Sequence, residues 1–135
     1  MARIVLTDSK VTINSVNLSD HIASVTINTS TDVVETTAFS STGARTRVAG
    51  LLDNSVTLEF HQDFATSSVE QTIYPLLGTA TTIVCSPTST VSATAPSYSF
   101  SALVSEWTPL NGGVGELATA SVTWPISGAI TKATS

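Results

Sequence analysis

At 135 residues the chain has the length of one domain and is long enough to bury a core. Five Lys and Arg stand against ten Asp and Glu, a formal charge of −5, which argues against a phosphate-attracting surface because nucleic-acid affinity is driven by cations. Only 11% of residues are charged while 41% are hydrophobic, a balance that suits a surface covered by other subunits. No Pro/Gly-rich break divides the chain, so a single domain over 1–135 is expected, with residues 1–9 and 127–135 as arms.

Serine and threonine supply roughly a third of the sequence, and they alternate with Val, Ile, Leu and Phe. Period-two alternation marks a strand whose two faces meet different surroundings. A short hairpin is expected first, over Lys10–Asn14 and Asn17–Ile22, with Asn14 to Asn17 as turn residues. Strands follow over Ile22–Ser30 and Val33–Phe39. In the first of these, Val25 and Ile27 interleave with Ser24, Thr26 and Asn28. A long irregular loop over 40–54 comes next, carrying two glycines, Arg45, Arg47 and the pair Leu51 and Leu52. Loops of that length are usually functional. Ser55–His61 returns to strand, with Val56, Leu58 and Phe60 on one face and Ser55, Thr57, Glu59 and His61 on the other.

One short flanking α-helix is expected over about 67–77. Ser67 and Glu70 have capping-box spacing, and Val69, Ile73, Leu76 and Leu77 form an apolar stripe. Pro75 should tighten the last turn, and Gly78 should end it. Strands over Thr81–Ser86, Ser97–Trp107 and Leu117–Trp124 complete the chain, the last two joined by a tight turn at Asn111–Gly115. The fold class is therefore mainly β, a sandwich or barrel with one short helix.

Little in the sequence looks like chemistry. Glu59, His61 and Asp63 share a strand face if the strand is unbroken, the donor types of a Zn²⁺ or Mn²⁺ site, but no second ligand cluster accompanies them. Asp20 and His21 have the residue types of a hydrolytic pair, yet no nucleophile elbow is present. Asn111–Gly115 has no Lys and links strands, so it is read as a turn and not as a phosphate loop. Cys85 is the only cysteine and lies in an apolar run, which fits an inert buried thiol. Trp107 and Trp124 are expected in the core or an interface. No catalytic, metal or cofactor site is expected. The N-terminus lacks a secretory pattern and no apolar run is long enough to span a bilayer, so folding in a cytoplasm without membrane insertion is expected.

Five segments together carry a family resemblance: VTINSVNLSDHIASV from Val11, VETTAF from Val34, AGLLDNSVTLEFHQDF from Ala49, YPLLGT from Tyr74 and GELATASVTWP from Gly115. In this order and spacing the chain resembles the major tail tube proteins of long, non-contractile-tailed bacteriophages, especially those of actinobacterial hosts. The resemblance implies a virion protein, assembled in the host cytoplasm, whose subunits form stacked hexameric rings with a continuous inner β-barrel. Double-stranded DNA would pass through that tube without specific binding. The implied partners are further copies of the chain, a tape measure protein, and tail initiator and terminator proteins.

On this reading the lumen lies on the polar strand faces near Ile22–Phe39, with Asp32 and Glu35 as candidate lumenal acids. The loop 40–54 supplies the ring-to-ring contact through Arg45, Arg47, Leu51 and Leu52. The competing readings are a monomeric Ig-like or carbohydrate-binding module, and a tail terminator or secretion-system tube protein. The aromatic content of 6% disfavours the sugar-binding reading.

Overall fold

The computed structural model describes residue 3 and residues 5–39 and 42–134. Of the expected arms and loop, residues 1, 2, 4, 40, 41 and 135 lie outside the described residues. The chain is mainly β. Strands β1 (Lys10–Ile13), β2 (Val16–Asn17), β3 (Ile22–Glu35), β4 (Arg47–His61), β5 (Ala80–Ser86), β6 (Ser97–Leu103) and β7 (Thr119–Ala133) form a seven-stranded sheet in the order β2-β1-β5-β6-β7-β4-β3. All its pairings are antiparallel.

β7 folds this sheet back on itself. Residues 119–125 pair with β4, and residues 126–133 pair with β6, so one strand belongs to both halves. The hand-over is accompanied by an irregularity opposite Phe100, where Gly128 adopts φ +93° and its carbonyl accepts a bond from Asn54 Nδ2 at 3.3 Å. The halves share one core: Val11 and Ile13 of β1, Ile83 and Cys85 of β5, and Phe100 and Ala102 of β6 cluster with Val56, Leu58 and Phe60 of β4 and Val122 and Trp124 of β7. Phe60 sits edge-to-face on Trp107 at 5.5 Å and tilted against Trp124 at 6.3 Å, the geometry favoured by the ring quadrupoles.

An opening hairpin forms as expected, but its turn is the two-residue loop Asn14 and Ser15, both at positive φ, and Val16, expected in the turn, begins the second strand. Its second strand is shorter than expected, because Asn17 leads into a 3₁₀ turn over Ser19–His21. The helix α1 (Val69–Ile73) continues into a 3₁₀ turn at Tyr74–Leu76, where Pro75 cannot donate the helical bond. The expected capping box is absent. Ser67 is at φ +62°, Ser68 takes the N-cap position, and its hydroxyl donates to Asp63 Oδ2 at 2.8 Å. Glu70 instead accepts from Trp107 Nε1 at 2.8 Å.

Three expectations are corrected. β3 is one strand and not two. Residues 47–54 are not loop but the first half of β4, and this half pairs with β3. Residues 127–133 are not a loose arm but strand paired with β6. In addition, Asn111–Gly115 is not a tight hairpin turn, because residues 104–118 form a longer connection before β7 begins.

Candidate functional site

Two surfaces stand out, and both are built on the β3–β4 pair. The first is a polar face. In register across three strands lie the rows Ser24–Glu59–Ser121, Thr26–Thr57–Thr123 and Asn28–Ser55–Pro125. Their opposite face carries Val25, Ile27, Val56, Leu58, Val122 and Trp124 into the core, so alternation forces the hydroxyls outward. The hydroxyls of Thr57 and Thr123 lie 3.1 Å apart. The next row toward the loop is Ser30 with Asp53, and beyond it comes Asp32. Three acids, Glu59, Asp53 and Asp32, thus share this face, and none of the five Lys and Arg falls on these rows.

The second surface is the far half of the hairpin. From Thr29 to Glu35 and from Arg47 to Asp53 every residue is exposed on both faces. β4 carries an extra residue here, since Thr31 pairs Leu52 while Val33 pairs Ala49. A β-bulge of this kind bends and twists the strand pair. Gly50 sits in it, where a Cβ would meet Asp32 Cβ at 3.0 Å and Val34 Cγ2 at 3.2 Å. Val33, Val34, Val48, Leu51, Leu52 and Phe39 are all exposed, Phe39 completely. Isolated apolar residues on a surface are ordinary, whereas six on one projecting element mark a contact surface.

The candidate residues separate accordingly. Asp32 continues the polar face. Glu35, two strand positions past Val33, lies on the other face and reaches Arg45 Nη1 at 3.4 Å, so an expected lumenal acid and an expected contact cation are partners on the hairpin. Arg47 pairs in register with Glu35 but has no acidic partner within 4 Å among the described residues. Leu51 and Leu52 are exposed beside the bulge. Glu59 lies on the polar face, as its alternation with Ser55 and Thr57 predicts, whereas Asp53, assigned to the loop by sequence, is the acid of this face that sequence reasoning missed. Its spacing of two from Ser55 was the available signal.

Glu59, His61 and Asp63 do not form one set. β4 ends at His61, and Asp63 turns toward His21, whose Nε2 lies 2.9 Å from Asp63 Oδ2. Among the described residues no group of three or more His, Cys, Asp or Glu is placed to hold a metal ion. Adjacent Asp20 and His21 do meet, because the 3₁₀ turn brings Oδ1 to within 2.9 Å of Nδ1. The hydrogen bond to Asp20 raises the His21 pKa, partial burial opposes it, and Asp63 adds to the rise. Asp63 is lowered, first by the Ala65 amide, then by the Ser68 hydroxyl and by His21. Ser68 faces the carboxylate and not the imidazole, so the order needed to activate a serine is not formed. Cys85 is buried and pushed up to about 12 by desolvation, which leaves its thiol protonated and inert. Among the described residues no helix is long and apolar enough to cross a membrane.

No protein-family model matches the chain, and no curated protein matches it. Its fold is similar to that of a chain in the cryo-EM structure of the anti-feeding prophage baseplate, 6-fold symmetrised. The TM-score is 0.55 with 8% identity, over 98% of this chain and 97% of that one. At that identity the likeness is one of fold.

Proposed function

We propose that the protein is a structural subunit of a phage-type tail and that its polar face lines a tube through which double-stranded DNA passes. The observation that carries this reading is the three-strand hydroxyl face, whose only formal charges are acids and which ends at the open edge of β3. Hydroxyls hydrogen-bond to water without gripping phosphate, and acidic groups repel it, so the wall permits passage with weak contact.

β3 has no strand on its outer side among the described residues. A 14-residue open edge is an aggregation hazard in a monomer, and pairing with a neighbouring copy removes it. Repetition of that pairing around an axis closes a barrel, with six copies if the ring follows the 6-fold symmetry of the fold neighbour's assembly. The exposed hairpin then contacts the next ring. In this account the protein is non-catalytic and belongs to the virion tail. It works with further copies of itself and with tape measure, initiator and terminator proteins.

The tryptophans do not support the sugar-binding alternative, because Trp124 is fully buried and Trp107 packs on Phe60, and the polar face itself carries no aromatic residue in its rows. Negative-stain electron microscopy of the concentrated protein tests the proposal. Hollow rings or tubes of uniform diameter are expected, whereas a protein that stays monomeric even with tail initiator added contradicts it.

A further inference from the structure

The two ends of β4 carry two different apolar surfaces, and the turn segment at one end is opposite in charge to the connection at the other. At the Arg47 end is the projecting hairpin, with Val33, Phe39, Leu51 and Leu52 exposed. From Glu35 to Arg47 the charged residues are Glu35, Arg45 and Arg47, so the turn segment is net positive, while Asp32 and Asp53, set back toward the body, make the hairpin half from Thr29 to Asp53 net negative as a whole. At the His61 end is the connection 104–118. It is fixed there by Gln62 N donating to Ala118 O at 2.9 Å, Gln62 Nε2 donating to Pro109 O at 2.7 Å, and Thr119 N donating to Asn111 O at 3.2 Å.

That connection is a formed platform. Trp107 Nε1 is held by Glu70, and the Gly113 amide donates to Glu116 Oε2 at 3.0 Å while Glu116 N donates to Gly113 O at 3.1 Å. From this base Leu110, Val114 and Leu117 face solvent, at 83%, 107% and 63% exposure. Its charged residues are Glu106 and Glu116, and the chain holds no Lys or Arg anywhere from Val48 to Thr131.

We infer that the hairpin tip of one copy docks on the 104–118 platform of a second copy, with Phe39 packing against Leu110, Val114 and Leu117 and with Arg47 facing Glu116. The two surfaces lie at opposite ends of a 15-residue strand, a span of about 50 Å at roughly 3.3 Å per residue, so no copy satisfies its own tip. They are also different surfaces, which makes the contact heterologous. A head-to-tail contact that does not close on itself grows an open stack. Apolar area supplies the attraction, and the opposite charges select platform over tip and so set polarity.

This inference rests on the tube reading and adds the acceptor surface. It is tested with a photo-reactive benzoylphenylalanine in place of Phe39 in the full chain, irradiated under conditions in which the unmodified protein assembles, with cross-linked peptides identified by mass spectrometry. Cross-links into residues 104–118 of another copy are expected. Charge exchange provides a second readout: Arg47→Glu and Glu116→Arg each abolish stacking, and the two substitutions together restore it. Rings or tubes whose cross-links fall outside 104–118, or a double variant that stays unstacked, overturn the inference and leave the tube reading standing. Absence of any rings or tubes from the unmodified protein, even with tail initiator added, overturns both.

Discussion

His21 bridges two carboxylates, with Nε2 2.9 Å from Asp63 and Nδ1 2.9 Å from Asp20. The ring thereby ties the start of β3 to the loop that precedes α1. Both ring nitrogens donate only in the imidazolium, so the full bridge requires the charged form. Because the folded-state pKa of His21 is raised, its contribution is complete below the unfolded value and is lost as pH rises through the folded one. Asp63 is lowered, so its contribution is present above its unfolded value and is lost as pH falls through the folded one. Melting temperature should therefore be highest between about pH 4 and 6.5, the unperturbed values of the two groups. It should decline as pH rises above that window. In His21→Ala the decline on the alkaline side should disappear, and an unchanged profile would refute the bridge.

Phe60 is fully buried between Trp107 and Trp124 at the point where the two halves of the sheet share their core. Truncation leaves a cavity that two large rings cannot refill. Phe60→Ala should cost about 3–5 kcal/mol in denaturant unfolding. A loss no larger than that of a typical surface substitution, about 0.5 kcal/mol, would mean that the halves are not packed as described.

How far the sequence was legible follows from where its period holds. Ser55–His61 alternates without interruption, and the structure places Val56, Leu58 and Phe60 inside, as the alternation predicts. The hairpin half of β4 was unreadable because Gly50 and Leu51 form a bulge, which shifts the period and leaves neither face apolar. Gly128 does the same to the end of β7, turning a strand into an apparent tail. The capping-box spacing of Ser67 and Glu70 is real, but the left-handed backbone at Ser67 moves the cap by one residue and frees Glu70 for Trp107. The His21–Asp63 contact joins residues far apart in the chain, and no local pattern announces such a pair. Asp32 lies on the polar face, whereas Glu35 falls on the other side because strand parity continues without a shift along β3.

At Gly50 the missing Cβ leaves room for Asp32 and Val34. Gly50→Val should push the two strands of the hairpin apart without touching the core. The melting temperature should stay near that of the unmodified protein while assembly, followed by sedimentation, falls by about an order of magnitude, the loss expected from roughly 1.4 kcal/mol at each contact. Equal loss of both would show that the hairpin is part of the folding unit.

Asp53 and Glu59 are the acids nearest the hydroxyl rows. Replacing both with Lys reverses the charge of the wall in every subunit. Tubes of Asp53→Lys/Glu59→Lys should retain duplex DNA with an affinity that falls steeply with salt, while unmodified tubes retain none. Equal behaviour of the two tubes would separate this face from the channel.

The central claim is that the hydroxyl face is the inner wall of a tube, and a cryo-EM reconstruction of the assembled protein tests it most directly. The account predicts a ring in which β3 of each copy pairs with a neighbour and Thr26, Thr57 and Thr123 point into the lumen. A ring that turns this face to the outside, or an assembly without a lumen, would contradict it.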